Sequence, residues 1–256
     1  MKVIIILLVF TGSTALACHC YISPVADNYA QSNFVAYVNV LKVIPNEPDS
    51  KHYYKIQIEP VAVFKGKPTN ELWVYGSLDG SNWTSCDLIM PANSKWIIYA
   101  KPDGNDKTAV HLCNGSWQTD AKFDKTQYPD LESKYAVRLE RELNILKVLK
   151  KKASGITYSY MLHNPTLKDF LAHYNDIPFP KNFAEYQISF DANTKAKSVK
   201  VLKSLDKQFD RALVAFIKQS KWLALYNKKV PDNGVYLMGI YQYEENGERF
   251  LSIYNH

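Results

Sequence analysis

The sequence predicts a chain that is mainly β in its first part and α+β in its second part. Runs rich in β-branched and aromatic residues, divided by Gly, Pro, Asn and Asp clusters, follow one another over residues 33–113. After residue 155, strand-like and helix-like runs alternate instead. The 256 residues are 46% hydrophobic and 22% charged, which excludes a disordered chain and allows one or two buried cores.

Residues 1–17 have the pattern of a secretory signal peptide, with a buried strand as the alternative. Lys2 is followed by an apolar run at residues 3–10 and an Ala-Leu-Ala triplet at residues 15–17. The apolar run is too short for a lasting membrane span. Cleavage after the triplet would leave Cys18 as the amino terminus of an exported protein, in the periplasm or outside the cell. Lipoprotein cleavage is the second alternative, and a lipid on Cys18 would allow peripheral membrane association.

The four cysteines are expected to form disulfides, because export places them in an oxidising compartment. Four cysteines allow three connectivities. A bond between Cys18 and Cys20, which are separated by one residue, would be strained, so each is expected to reach a distant partner. The alternative is a metal site that combines residues 18–20 with Cys86 or Cys113. No second Cys-x-x-Cys or His-x-x-x-His accompanies those residues, so we expect no intrinsic metal and no cofactor.

The predicted strands of the first part suit a small closed barrel or a sandwich. They lie at residues 33–43, 53–64, 71–75, 95–100 and 109–113. The second of them contains Pro60, which cannot donate to a strand ladder and predicts a bend or an edge. The Lys-Gly-Lys-Pro sequence that follows it, at residues 65–68, predicts a turn. About five short strands with turns between them are typical of such folds.

A helix at residues 131–151, capped by Asp130, is predicted to follow the barrel. One apolar face of it contains Leu131, Tyr135, Leu139, Leu143 and Leu146. Lysines near its end suit the negative end of a helix dipole, with a polyanion site as the alternative. Residues 153–160 predict a linker, so the first domain is expected to cover residues 18–152.

The second domain is predicted at residues 161–256 as a small β-β-α-β module with a final hairpin. Its predicted elements are a short helix after residue 165, strands at 184–191 and 198–203, a helix at 206–220, and strands at 235–243 and 249–254. This order suits an α+β sheet with one face covered by a helix.

The first domain begins with Cys18-His19-Cys20 at the predicted mature terminus. It continues through the runs FVAYVNVLKV, VAVFKGKP, WVYGSLDGSNWTSC, KWIIYAKPDG and TAVHLCNGSW. In these features, over residues 18–120, the domain resembles the netrin-like fold, above all the amino-terminal domain of the tissue inhibitors of metalloproteinases. The resemblance implies an OB-like five-stranded barrel with disulfides Cys18–Cys86 and Cys20–Cys113.

The same resemblance implies a protease-contact site at the mature terminus. The α-amine and carbonyl of Cys18 would chelate the catalytic zinc of a metalloprotease. His19 would enter the specificity pocket of the protease, and Thr84 and Ser85 would line its cleft. The alternative is that the two disulfides only pin the terminus to the barrel, as in netrin-like domains that inhibit no protease.

The second domain contains the run YQISFDANTKAKSVKVLKSLDKQFDRALVAFIKQSKWLALYNKKVPDNGVYLMGIYQY, residues 186–243. Within this run, a strand-turn-strand is followed by Leu-Asp before a helix and by Lys-Trp after it. In these features the domain resembles the carboxy-terminal domain of TonB-type proteins. The resemblance implies a Gram-negative bacterial source and a sheet edge that binds a partner by strand addition.

We therefore expect a non-enzymatic, exported, disulfide-stabilised binding protein of the bacterial envelope. No His-Glu-x-x-His, Gly-x-Ser-x-Gly or phosphate-binding loop occurs, and the six histidines are scattered. The net charge of +6 is mild and indicates no nucleic-acid binding without a clustered basic face, so no nucleic-acid partner is expected. The expected partner is a zinc metalloprotease that the chain inhibits. The alternative is an envelope protein to which the chain docks as a structural adaptor.

Overall fold

The structure, a computed structural model, describes residues 18, 20, 23–45, 52–78, 84–103, 107–153, 162–224, 234–245 and 247–253. The predicted signal peptide, His19 and most of the predicted linker lie outside the described residues. The helices are α1 Val25–Gln31, α2 Leu131–Lys152, α3 Leu167–Ala172 and α4 Lys207–Gln219. The strands are β1 Phe34–Ile44, β2 Tyr53–Lys65, β3 Glu71–Tyr75, β4 Ser94–Pro102, β5 Thr108–Val110, β6 Trp117–Gln118, β7 Leu162–His163, β8 Phe183–Phe190, β9 Ala196–Lys203, β10 Leu223–Ala224, β11 Gly234–Glu245 and β12 Glu248–Ser252.

A closed, mixed β-barrel of five strands forms the first part of the described chain, as the sequence predicts. Its strand order is β1-β2-β3-β5-β4, and antiparallel pairing of β1 with β4 closes it. The β3–β5 pair is parallel, and the short β6 extends the sheet beyond β4. Alternation along β2 explains the barrel core, because Tyr54, Ile56 and Ile58 are buried between less buried neighbours. Pro60 lies beside a register shift in the β1–β2 ladder, which accommodates its missing donor.

The helix α1 was not predicted from the sequence, although six of its seven residues are buried. It is too short to show a helical period, and Pro24 at its N-cap makes no side-chain cap. The ammonium group of Lys65 fixes its other end by donating to the carbonyl oxygens of Tyr29 and Ala30, at 2.9 and 2.8 Å. Burial lowers the pKa of Lys65 to about 8. The barrel therefore carries a short buried helix at its amino-terminal end.

The strand predicted at residues 109–113 is shorter in the structure. β5 ends at Val110, and residues Leu112–Asn114 form one turn of 3-10 helix. Gly115 ends that turn at φ 85°, and a Cβ there would lie 2.2 Å from the Nδ2 atom of Asn28. The close approach to α1 therefore requires glycine at this position.

The helix α2 begins where predicted and runs one residue further than the prediction. Asp130 is its N-cap residue, as predicted, although the Asp130 side chain accepts no hydrogen bond from the helix. Leu146 of the predicted apolar face is buried, and Tyr135, Leu139 and Leu143 are partly buried against the same cluster, so that face is confirmed in part. The other buried residues of the helix are Glu142, Ile145 and Leu149.

The second sheet is antiparallel, in the order β12-β11-β8-β9. α4 covers one face, and its N-cap Asp206 accepts hydrogen bonds from the amides of Gln208 and Phe209, at 2.7 and 3.0 Å. Trp222 is buried in the core on that face, and its ring nitrogen donates to the carbonyl oxygen of Ile217 at 3.2 Å. These elements match the predicted module.

The opposite face of this sheet is also covered, which the sequence did not predict. Phe183, Leu237 and Tyr241 share one apolar cluster with α1, α2 and barrel residues. The barrel and the second sheet are therefore joined by a common core rather than only by the chain between them. Among the described residues, no helix is long and apolar enough to cross a membrane.

Two carboxyl groups are buried in the common core. Glu142 accepts hydrogen bonds from the Tyr99 hydroxyl at 2.6 Å and the Trp117 ring nitrogen at 3.0 Å, and burial raises its pKa. Glu185 accepts one hydrogen bond from the Tyr241 hydroxyl at 3.3 Å, and its Oε2 atom has no partner among the described residues. Burial raises the pKa of Glu185 to about 8. Burial thus favours the neutral form of both side chains.

Candidate functional site

Two disulfides hold the segment that begins at Cys18 against the surface of the barrel. Cys18 is bonded to Cys86, with 5.1 Å between their Cα atoms. Cys20 is bonded to Cys113, with 5.0 Å between their Cα atoms. This is the pairing that the netrin-like resemblance implies. We call Cys18, Thr84, Ser85 and Cys86, which lie together at the first bond, the disulfide ridge.

Hydrogen bonds fix the geometry of the disulfide ridge. The backbone nitrogen of Cys18 donates to the Oγ atom of Ser85 at 2.9 Å, and Ser85 is exposed. The hydroxyl of Thr84 donates to Asp87 at 2.7 Å and accepts from the backbone amide of Cys86 at 3.2 Å. The other carboxylate oxygen of Asp87 accepts from the amide of Ser77 at 3.0 Å. Hydrogen bonds of Thr84 and Asp87 therefore fix the turn before Cys86, and the Ser85 hydroxyl in that turn accepts the hydrogen bond from Cys18.

The structure brings together three of the four predicted protease-contact residues. Cys18, Thr84 and Ser85 are joined by the bonds just described. The fourth, His19, lies outside the described residues. The disulfide ridge presents the backbone nitrogen of Cys18 at the surface, beside the exposed hydroxyl of Ser85. It offers hydrogen-bonding groups at fixed positions but no acid–base pair.

An aromatic face, formed by Tyr53, Trp73, Tyr75 and His111, adjoins the disulfide ridge, and the sequence did not reveal it. The Tyr75 ring packs edge-on against Tyr53 at 5.3 Å and stacks on His111 at 5.2 Å. The Tyr75 carbonyl oxygen accepts from the amide of Leu88, two residues after Cys86, and His111 lies two residues before Cys113. The aromatic face is therefore connected to the two segments that carry Cys86 and Cys113.

Positive charges lie over the aromatic face. The ammonium group of Lys107 lies 4.4 Å from the centre of the Trp73 ring and 4.7 Å from that of Tyr53. The ammonium group of Lys55 also lies 4.4 Å from the Trp73 ring. Burial lowers the pKa of His111, so this ring is neutral at physiological pH. A cation over a ring is attracted to the face of that ring, and Trp and Tyr are enriched at the centres of protein interfaces.

The cysteine metal site considered from the sequence does not fit the structure. The sulfurs of Cys18, Cys20 and Cys113 lie within 4.8 Å of one another. Each of them belongs to a disulfide, and no free cysteine occurs among the described residues. Tetrahedral zinc sites use thiolates, which disulfide sulfurs cannot supply. The closeness of these sulfurs is therefore explained by the two bonds.

Comparison with known proteins assigns no family to the chain. No protein-family model matches it, and no curated protein matches it. The candidate site is defined by its geometry: an anchored backbone nitrogen, an exposed hydroxyl and an adjoining aromatic face.

Proposed function

We propose that the chain is an exported binding protein of the bacterial envelope whose disulfide ridge inhibits zinc metalloproteases. In this proposal the barrel is OB-like and netrin-like, and the second sheet with α4 is a TonB-type module. The closed mixed barrel and the two disulfides support the first assignment. The signal-peptide pattern predicted at residues 1–17 and the disulfide-bonded cysteines support export, because disulfides persist in oxidising compartments. The protein is not an enzyme in this proposal and carries no cofactor.

The observation that carries the proposal is the fixed position of the Cys18 nitrogen. Cleavage after Ala17 turns this backbone nitrogen into an α-amine, whose ordinary pKa of about 8 leaves a lone pair accessible near neutral pH. The bond to Cys86 and the hydroxyl of Ser85 hold that amine at the surface. A catalytic zinc keeps one position open for such a ligand. A rigid ligand loses little entropy on binding, which favours inhibition.

The aromatic face extends the proposed contact surface beyond the zinc. Tyr and Trp side chains are enriched among the residues that dominate protein–protein affinity. Trp73 and Tyr75 are half-buried on the outer side of β3, where a partner can cover them. The proposal assigns zinc binding to Cys18 and additional contact area to this face.

A free α-amine at Cys18 is expected to be essential for inhibition. Mature protein that begins at Cys18 is assayed against a panel of zinc metalloproteases, next to a form with one alanine retained before Cys18. We expect the extension to weaken inhibition of every sensitive protease at least 100-fold, because an amide nitrogen has no lone pair for zinc. One alanine added after His256 is the matched control and is expected to change nothing.

Two outcomes would contradict this proposal. Equal inhibition by the extended and mature forms would reject chelation by the α-amine. Absence of inhibition across the whole panel would reject the inhibitor function itself.

Strand addition to the second sheet is the alternative function. β9 forms an edge of the sheet, with β8 as its one neighbour among the described strands. Val201 on β9 is 38% exposed, which suits a partner strand that lies alongside. The inhibition assay separates the two functions, because strand addition at β9 does not require a free amine at Cys18.

A further inference from the structure

A groove of about 500 Å³ lies between α2 and the hairpin of β11 and β12. Leu131 and Val137 of α2 form one apolar wall, and Tyr243 and Phe250 of the hairpin form the other. The two rings of the hairpin stack, with 5.3 Å between their centres. Val137 leaves 56% of its surface exposed, a high fraction for an apolar side chain. The groove lies in a different part of the fold from the disulfide ridge.

Two arginines of α2 place guanidinium groups in this groove. Arg138 and Arg141 are three residues apart and therefore lie on one side of the helix. The Arg141 guanidinium lies 4.6 Å from the centre of the Tyr243 ring, and that of Arg138 lies 4.2 Å from the Trp117 ring. Stacking on a ring fixes a guanidinium while leaving its edge for hydrogen bonds. Both groups are thus held in place before any ligand arrives.

The hydrogen-bonding capacity of these arginines is not used up within the described residues. The Nε atoms of Arg138 and Arg141 are buried, and neither has a hydrogen-bond partner there. The Nε atom of Arg138 lies 3.8 Å from the Oε2 atom of Glu142 and forms an ion pair with it. Arg141 has no ion pair among the described residues. Arg141 lines the groove and has no carboxylate partner among the described residues, so a ligand that brings an oxyanion to its guanidinium gains a charge-assisted hydrogen bond.

The charges around the groove favour an anion. Lys134 adds a third positive charge to those of the two arginines, against the carboxylates of Glu244 and Glu245. Glu244 is already paired with the Nε atom of Arg249 at 2.9 Å. The groove therefore combines surplus positive charge with apolar walls.

We propose that this groove binds a small amphipathic organic acid, in which one carboxylate is attached to an aliphatic or aromatic body. The guanidinium of Arg141 receives the carboxylate through paired N–H donors, a geometry that suits a planar oxyanion. The apolar body lies between Val137 and the Tyr243–Phe250 stack. The volume is within the range of small-molecule sites. This inference is independent of the proposed protease inhibition.

The test compares carboxylates with their uncharged amides. The probes are 4-phenylbutanoate and decanoate, one aromatic and one aliphatic, each paired with its primary amide. Binding to the full chain is measured by calorimetry and by tryptophan fluorescence, which senses Arg138 through its stacking on Trp117. We expect saturable binding of at least one acid, with its amide at least tenfold weaker.

Arg141→Gln is expected to weaken acid binding at least tenfold, whereas Lys147→Gln, on the same helix but outside the groove, leaves it unchanged.

A second pair of variants avoids any effect of Arg141 on folding. Val137 is exposed, so Val137→Glu and Val137→Gln are both expected to fold. The glutamate repels a carboxylate ligand, and we expect at least tenfold weaker acid binding than in the isosteric glutamine variant. Equal affinity for acid and amide, or equal affinity of the two Val137 variants for the acid, would overturn the proposal. Failure of every probe to bind the wild-type chain would overturn it as well.

Discussion

The free energy of unfolding is expected to fall as the pH rises from about 5 to about 7.5, and Glu185→Gln is expected to remove most of this fall. Glu185 is completely buried on β8, opposite Gly239 of β11. The titratable and charged side chains that act on its pKa are Tyr241, Lys203 and Asp27. Burial outweighs the hydrogen bond from Tyr241 and the charge of Lys203, and the pKa of Glu185 rises to about 8.

The direction of this pH dependence follows from the number of protons that the folded and the unfolded chain bind. In the folded chain Glu185 keeps its proton up to about pH 8, whereas in the unfolded chain it ionises above its ordinary pKa of 4.5. Unfolding therefore releases a proton between these two values, and rising pH favours the unfolded state. One proton corresponds to about 1.4 kcal/mol per pH unit, so the loss over the window is a few kcal/mol. Burial also raises the pKa of Glu142, which adds a contribution of the same sign.

Denaturant unfolding at several pH values between about 5 and 7.5 measures this effect. The window stops below the lowered pKa of Lys65 and Lys101, about 8 each, because those groups reverse the trend at higher pH. The lowered pKa of His111 opposes the trend within the window, but it does so equally in the wild type and in Glu185→Gln, so the comparison of the two profiles isolates Glu185. Glu140→Gln, at an exposed position of α2, is the matched control and is expected to follow the wild type. Parallel pH profiles for the wild type and Glu185→Gln would show that Glu185 is ionised in the fold.

The double variant Cys20→Ser/Cys113→Ser is expected to lose about 3–4 kcal/mol of stability, by the loop-entropy relation. The two cysteines are 93 positions apart in sequence. The intact Cys18–Cys86 bond already shortens the path between them to roughly 30 residues, and this is the loop that the variant frees in the unfolded chain. The Cys20–Cys113 bond also fixes the segment that carries Cys18, and its removal leaves the Cys18–Cys86 bond intact. We therefore expect a large loss of stability together with a looser disulfide ridge.

The effect of the second disulfide is measured by denaturant unfolding under non-reducing conditions. Wild-type protein treated with a reductant provides the comparison in which both bonds are broken, and it is expected to be less stable than the double variant. A loss below about 1 kcal/mol in the double variant would show that the described bond does not constrain the unfolded chain.

The barrel could be predicted from the sequence because its strands have an alternating apolar pattern. Tyr54, Ile56 and Ile58 show that pattern within a single segment of the chain. Helix α1 could not be predicted, because its burial depends on contacts with α2 and β11 far along the chain. The packing of the second sheet against α1, α2 and the barrel could not be predicted for the same reason. Burial of Glu142 was also unforeseen, because the helical period alone placed other residues on the buried face of α2.

The disulfide ridge could be anticipated only through the resemblance, since four cysteines leave three connectivities open. The aromatic face and the groove could not be anticipated at all. Tyr53, Tyr75 and His111 belong to different segments and meet through strand pairing and the turn after β5. Arg141 and Tyr243 are about a hundred residues apart and meet only where α2 packs against the second sheet. Sites of this kind follow from topology rather than from local patterns.

We expect the exported protein to begin at Cys18 and this residue to be anchored to Cys86. Intact and non-reducing peptide mass spectrometry of protein exported by a Gram-negative host tests both expectations at once. We expect a chain that starts at Cys18 with an unmodified α-amine, together with the Cys18–Cys86 and Cys20–Cys113 pairs. Residues retained before Cys18, a lipid on its sulfur or any other pairing would contradict these expectations.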